Sequence, residues 1–163
     1  MTLLHPDAPK APLLVLAVGN PSRGDDAIGP LLAEQLTRWL AQQDDATRAR
    51  IDVITDQQLV VEHVFDLQGR QRVLFIDAAA QGPAAVQLMA LQPPTELPAV
   101  SSHSSTPTQL LGLHQSLLNT PPPPAALLTL TGHGFELGAP LSSQAQQGMP
   151  LAWAQLQAWL LHA

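Results

Sequence analysis

The stretch Leu13 to Gly29, LLVLAVGNPSRGDDAIG, decides the fold of this 163-residue chain. An apolar run breaks at Gly19 and Asn20, and a helical pattern follows with Asp25 and Asp26 in its first turn. This pattern predicts a buried strand that leads through a tight turn into a helix. In an open α/β sheet such a turn lies at the carboxyl end of the strand, where ligands bind. The turn is therefore the first candidate for a functional site.

Three common turns of this kind do not fit the residues present. Gly19 and Gly24 have the glycine spacing of a phosphate-binding loop, but two acids follow where that loop carries Lys and Ser or Thr. A dinucleotide fingerprint needs glycines at closer intervals. A nucleophile elbow needs Gly two residues before its Ser, and Asn20 precedes Ser22 in this chain. What remains is a turn that bears acids.

The two adjacent acids of the turn predict two different roles. An Asp at a helix start caps free backbone N–H groups and lies at the positive end of the helix dipole. Neighbouring helical residues point about 100° apart, so both acids cannot do this. We expect Asp25 to be the cap and Asp26 to face the crevice above the sheet.

Composition limits the class of protein. A length of 163 residues with 45% hydrophobic residues is typical of one domain with a real core. The net charge of −6, with seven Lys plus Arg and no basic cluster, argues against nucleic-acid binding. The absence of cysteine excludes disulfides, thiolate zinc sites and a Cys nucleophile. The sequence has no apolar segment of about 18 residues and no signal-peptide pattern, so we expect a cytoplasmic protein that does not contact membranes.

Strand and helix patterns alternate along the chain. The predicted strands are the run from Leu13, then Ile51 to Ile54, Arg72 to Asp77, Ala84 to Leu91 and Leu127 to Leu130; the predicted helices are Ile28 to Leu40, Gln57 to Gln68 after a Thr55-Asp56 cap, Thr106-Pro107 to Asn119, and Ser142 to Leu161. This order predicts a single three-layer α/β domain at 12–163, after a flexible lead at 1–11. Its five-stranded sheet is mostly parallel with helices on both faces, and Ala84 to Leu91 is the strand that can run antiparallel.

Three polar side chains can converge at one edge of this sheet. Asp26 follows the first strand, Asp77 ends the third, and His103 lies in the loop after the fourth. Two carboxylates and one imidazole form an open site suited to a divalent metal, with positions left for substrate or water. Each residue alone has an ordinary alternative: a strand-end Asp can bond backbone N–H groups, and a loop His among serines is commonly solvated. The three residues at one edge are a more specific indication of a metal site than any one of them alone.

Four segments in order resemble the hydrogenase maturation proteases. They are GNPSRGDDAIG after a strand, RVLFIDA, the loop SSHSSTP before a Leu-rich helix, and GFELGAPLS before the last helix. Proteases of this family trim the C-terminus of the large-subunit precursor of nickel-iron hydrogenases. The resemblance covers nearly the whole chain from Leu13. The segment DQQLVVEH, Asp56 to His63, is further similar to the branch that serves NAD-reducing, soluble-type hydrogenases.

The resemblance implies a site and a mechanism. The family's metal-contacting positions fall on Asp26, Asp77 and His103, with Asp26 and Asp77 as the catalytic carboxylates. The metal is nickel already held by the precursor, so the enzyme is expected to need no tightly bound cofactor of its own. The partner is the hydrogenase large-subunit precursor, and we expect a monomer. The label aspartic-type then refers only to essential carboxylates, not to a proton-sharing dyad.

Other interpretations of the sequence stay open. His133, after the last strand, is an alternative imidazole for the same edge. A serine hydrolase would use His103 as base and, as nucleophile, one of Ser22, Ser101, Ser102, Ser104 and Ser105. A nickel-carrying chaperone would need tight metal binding, which two carboxylates and one His provide poorly. The simplest alternative is an α/β domain whose acids only satisfy backbone groups.

Overall fold

The computed structural model describes residues 9–82, 84–96 and 104–162. Five strands form one sheet in the order β2-β1-β3-β5-β4. The strands are β1 (Leu13–Val18), β2 (Ile51–Asp56), β3 (Arg72–Ala79), β4 (Val86–Leu91) and β5 (Ala125–Thr131). β1, β2, β3 and β5 run parallel, and β4 is antiparallel to β5. The predicted fold class, with one antiparallel strand at 84–91, is confirmed.

Helices cover the two faces of the sheet. They are α1 (Ile28–Leu40), α2 (Asp45–Ala49), α3 (His63–Leu67), α4 (Pro107–Leu118) and α5 (Ser143–Leu161). Side chains of β1 alternate between the faces because successive strand residues point in opposite directions. Leu13, Val15 and Ala17 pack with α1 and α5, whereas Leu14 and Leu16 pack with α3 and α4. β1 is therefore buried on both faces, as a central parallel strand requires.

The predicted helix Gln57 to Gln68 is wrong in its first half. Only His63–Leu67 is helical, and the residues before it form a loop. The spacing of Leu and Val fits a helix. In a helix, however, the Val60 N–H would donate to a backbone carbonyl one turn earlier, whereas here it donates to the side chain of His63, at Nδ1, at 3.0 Å. Asp56 does not cap α3; its Oδ1 accepts from the N–H of Gln57 at 2.7 Å.

The start of the described chain is fixed to the sheet. Lys10 Nζ donates to the carbonyl oxygens of Phe65 and Gln68, and the Ala11 N–H donates to Asp52 Oδ2 at 3.1 Å. The division into a lead at 1–11 and a domain at 12–163 stays a prediction. Among the described residues, none of the helices combines the length and apolarity that crossing a bilayer demands.

Candidate active site at the carboxyl edge of the sheet

Parallel pairing brings four strand ends to one edge. The register aligns Val18 at the end of β1 with Asp56 at the end of β2. Asp77 of β3 is aligned with Thr129 of β5, so the turn at His133 follows β5 just beyond the level of Asp77. The carboxyl edge therefore carries Asp56, the turn with Asp26, Asp77 and the turn after β5.

The turn after β1 is shaped by a glycine that no other residue can replace without strain. Gly19 has a φ of +147°, and a Cβ at this position would lie 2.0 Å from the carbonyl oxygen of Asp26. Its N–H donates to the Asp56 carbonyl at 3.1 Å, and the next N–H, that of Asn20, donates to Asp26 Oδ2 at 2.9 Å. The turn thus holds the Asp26 carboxylate at the edge of the sheet while leaving the side chain partly exposed.

Asp77 lies near the end of β3 at the same edge, and its acidity is altered. Its side chain is mostly buried, and its Oδ1 accepts a hydrogen bond from the Ala78 N–H at 2.8 Å. The pKa of Asp77 is raised from 3.8 to about 6, chiefly by burial; the charge of Asp26 adds to the rise and the Ala78 N–H opposes it. A carboxyl group with a pKa in this range is largely ionised at neutral pH and can still take up a proton, as a general base must.

Asp25 is a structural residue, but not the helix cap predicted from the sequence. Its side chain makes no cap to the short 3-10 turn Gly24–Ala27 that carries it. The carboxylate is fully buried and accepts from the N–H of His133 at 2.7 Å and from the N–H and hydroxyl of Ser142 at 2.7 and 2.6 Å. Burial acts to raise the pKa of Asp25, but these hydrogen bonds outweigh it and hold the pKa below its ordinary value. Asp25 therefore joins three segments of the edge.

The structure describes one of the two imidazoles predicted for this edge. His103 lies outside the described residues. His133 is exposed at the turn after β5, and its N–H is the group bound to Asp25. Within the parts of the chain that the structure describes, no three His, Cys, Asp or Glu side chains are grouped closely enough to hold a metal ion. The role of Asp26 and Asp77 as metal ligands stays a prediction.

Sequence reasoning missed a fourth acid at the edge and its partner. Asp56 ends β2, and His63 Nε2 lies 3.4 Å from its Oδ2. Asp56 lines a cleft of about 570 Å³ between the turn after β1 and the loop after β2. The strand-end rule that pointed to Asp77 applies equally to Asp56, and would have found it. A smaller hollow of about 200 Å³, lined by Trp39 and Leu160, lies at the opposite edge, where β1 and β2 begin.

Serine chemistry gains no support from the described residues. Ser22 is exposed, its N–H donates to the Asn20 side chain, and its carbonyl accepts from the Gly138 N–H. Among the residues with described structure, no histidine is hydrogen-bonded to a serine hydroxyl. Without a base to take its proton a serine hydroxyl is a weak nucleophile.

Solved structures share this fold. The hydrogenase maturating endopeptidase HybD from E. coli is 22% identical, with 92% of each chain covered and a TM-score of 0.65. The NiFe hydrogenase maturation protease HycI from Thermococcus kodakarensis KOD1 is 22% identical, with 94% of each chain covered and a TM-score of 0.65. The hydrogenase 2 maturation peptidase from a Thaumarchaeota archaeon is 20% identical over 91% of this chain and 97% of its own, with a TM-score of 0.62. No protein-family model and no curated protein sequence matches the chain.

Proposed function

We propose that this protein is an endopeptidase that removes the C-terminal extension of a nickel-loaded hydrogenase large-subunit precursor. The observation that carries the proposal is the pair Asp26 and Asp77 at the carboxyl edge of the sheet, close enough for the charge of one to raise the pKa of the other. The proposal is supported by a shared fold with solved hydrogenase maturation proteases over about nine-tenths of both chains.

Nickel belongs to the substrate in this proposal. The precursor holds the ion through its own ligands, and Asp26, Asp77 and His103 complete its coordination when the two proteins meet. The ion then acts as a Lewis acid beside the peptide bond to be cut, and a carboxylate activates the attacking water. The chain has no Cys, and a protein nucleophile is not needed. Because recognition requires the ion, the enzyme cuts only a precursor that has received its nickel.

Cleavage of a purified precursor tests this function. The protein is mixed with nickel-loaded and with nickel-free precursor, and the mass of each large subunit is followed by intact-protein mass spectrometry. We expect loss of the C-terminal extension from the loaded form alone. Equal cleavage of both forms would overturn the nickel requirement, and cleavage of neither would overturn the protease function.

Matched variants separate the site from the scaffold. We expect Asp26→Asn, Asp77→Asn and His103→Ala to abolish cleavage of the loaded precursor, because each removes a ligand of the ion. Asp45→Asn is the control, since the Asp45 side chain is 95% exposed on α2 and distant from the edge. Labelling of any serine by an active-site phosphonate would favour the serine hydrolase. Tight nickel binding without cleavage would favour a nickel chaperone.

A further inference from the structure

Asp56 and His63 form a pair that the proposed cleavage chemistry does not use. His63 is 5% exposed, so its ring cannot be satisfied by bulk water. Its Nδ1 accepts a hydrogen bond from the Val60 N–H at 3.0 Å. An imidazole nitrogen that accepts carries no proton, so the neutral ring carries its proton on Nε2. Nε2 is the atom that lies 3.4 Å from Asp56 Oδ2, an ion-pair distance that is longer than that of an ordinary hydrogen bond.

The carboxylate of Asp56 keeps unused acceptor capacity. A carboxylate can accept about four hydrogen bonds. Oδ1 accepts from the N–H of Gln57 at 2.7 Å, and Oδ2 lies beside His63. The Asp56 side chain remains 34% exposed, and it forms part of the wall of the cleft. The Gln57 N–H and the neighbouring His63 ring therefore restrain the carboxylate, while one side of it stays open to a donor in the cleft.

The cleft continues from the proposed catalytic edge. Its volume of about 570 Å³ lies within the range of about 300 to 1,000 Å³ that is common for ligand sites. Gly19 belongs to its wall, and the N–H of the following residue, Asn20, holds the Asp26 carboxylate. The turn that holds Asp26 therefore forms one wall of the cleft.

The walls of the cleft favour a donor-bearing polypeptide. They carry one carboxylate, one hydroxyl and two carboxamides, and the residues that line it include no Lys, Arg or His. The carboxylate only accepts hydrogen bonds, the hydroxyl and the carboxamides both donate and accept them, and none of these groups can neutralise an anion. The lining residues are Gly19, Pro21, Pro30, Thr55, Asp56, Gln57, Gln58 and Val60.

We propose that the cleft binds the precursor polypeptide next to the cut bond, and that Asp56, positioned by His63, accepts a hydrogen bond from a donor on that polypeptide. This inference rests on the protease function proposed above. Asp56 is a substrate-binding residue that fixes the register of the chain, and His63 is a positioning residue. The donor is either a cationic side chain of the precursor or one of its main-chain N–H groups.

Steady-state cleavage of the nickel-loaded precursor tests the role of each residue. For Asp56→Asn we expect KM to rise about tenfold, the loss of one charged hydrogen bond, with kcat within about twofold. His63→Phe should raise KM similarly, because the carboxylate loses its fixed orientation. His63→Gln should restore a KM near that of the parent, since its amide N–H replaces Nε2–H. Glu62→Gln is the matched control, an exposed acid next to His63.

Substrate variants identify the donor. Each Lys or Arg of the precursor near the cut bond is changed to Gln and is tested with the parent enzyme and with Asp56→Asn. If one change raises KM for the parent and not for Asp56→Asn, the donor is that cationic side chain. If every change acts equally on both enzymes while Asp56→Asn still raises KM, the donor is a main-chain N–H.

The outcomes against the inference are distinct from failure of the function. If the parent cleaves and Asp56→Asn, His63→Phe and Glu62→Gln share its KM, the inference is wrong and the protease function stands. If Asp56→Asn lowers kcat as strongly as Asp26→Asn with KM unchanged, Asp56 acts in the chemistry and the binding role is wrong. Thermal midpoints are measured for each variant, and Asp56→Ser replaces Asp56→Asn if the latter does not fold. A parent that cleaves no precursor refutes the function itself.

Discussion

Replacing Asp77 by Asn should stabilise the metal-free protein at neutral pH while it abolishes cleavage. Burial and the charge of Asp26 raise the pKa of Asp77 from 3.8 to about 6, so the folded protein disfavours the ionised form. A rise of this size corresponds to about 3 kcal/mol of lost folding free energy once the group is ionised. Asn has the same shape, carries no charge, and can still accept from the Ala78 N–H.

The size of this effect depends on pH. Below about pH 4 Asp77 is protonated in both the folded and the unfolded chain, and the variant should have no advantage. Between pH 4 and 6 the unfolded chain releases the proton that the folded chain keeps, so the stability of the parent falls as the pH rises. Asp77→Asn lacks this fall. Its advantage should reach about 3 kcal/mol above pH 7, or about 6 to 12 °C in thermal midpoint for a domain of this size.

Thermal unfolding followed by circular dichroism measures this difference from about pH 3 to pH 8, with a chelator present to keep metal away. Asp45→Asn on the exposed face of α2 is the neutral control. Asp25→Asn is the control of opposite sign: its hydrogen bonds outweigh burial and lower its pKa, so the variant should be less stable above pH 4. This loss should shrink as the pH falls below 3.8. If Asp77→Asn shifts the thermal midpoint by the same amount at every pH, the pKa of Asp77 in the folded protein is not raised.

Three further changes have defined outcomes. Gly29→Ala should lower the free energy of unfolding by about 3 kcal/mol or more in urea titrations, because its Cβ would lie 2.3 Å from the Val18 carbonyl oxygen. Burial lowers the pKa of His114, so below about pH 6.5 the unfolded chain takes up a proton that the folded chain does not, and the parent loses stability. His114→Leu should remove this loss. Urea midpoints of the parent and the variant at pH 5 and pH 8 measure it. Asp26→Asn should lower the pKa of Asp77, measured by NMR titration of its carboxyl carbon, and an unchanged value would contradict the coupling of the two acids.

The sheet was predictable because local patterns and global fold agree. β1 is a continuous apolar run, which only a strand buried on both faces needs. α4 begins where Thr106 and Pro107 predicted it, and Thr106 forms a capping box with Gln109. In α5 the predicted first residue, Ser142, is the N-cap. Each of these signals acts within a few residues of the chain, so the sequence alone displays it.

The errors occur where distant groups decide the conformation. The loop before α3 has helical spacing, but the Leu59 carbonyl accepts at 2.9 Å from the N–H of Ser105, which lies beyond β4 in the chain. Asp25 has the sequence of a cap, yet its partner Ser142 is 117 residues away. His103 lies outside the described residues, so its place in the site stays a prediction. Local propensity cannot reveal such contacts because the partners meet only in the folded sheet.

The division of labour between Asp25 and Asp26 explains how a sheet edge can present an acid accurately. Asp25 is buried and bonded to the turn after β5 and to the N-cap of α5, so it fixes the turn relative to two other segments. Asp26 is held by one N–H of the same turn and keeps its remaining acceptors for a ligand. Loss of Asp25 would therefore weaken catalysis by displacing Asp26, although Asp25 itself touches no substrate. The two neighbouring carboxylates therefore differ in structural role: Asp25 is buried and joins three segments, whereas Asp26 stays partly exposed at the edge of the sheet, where the proposed function needs it.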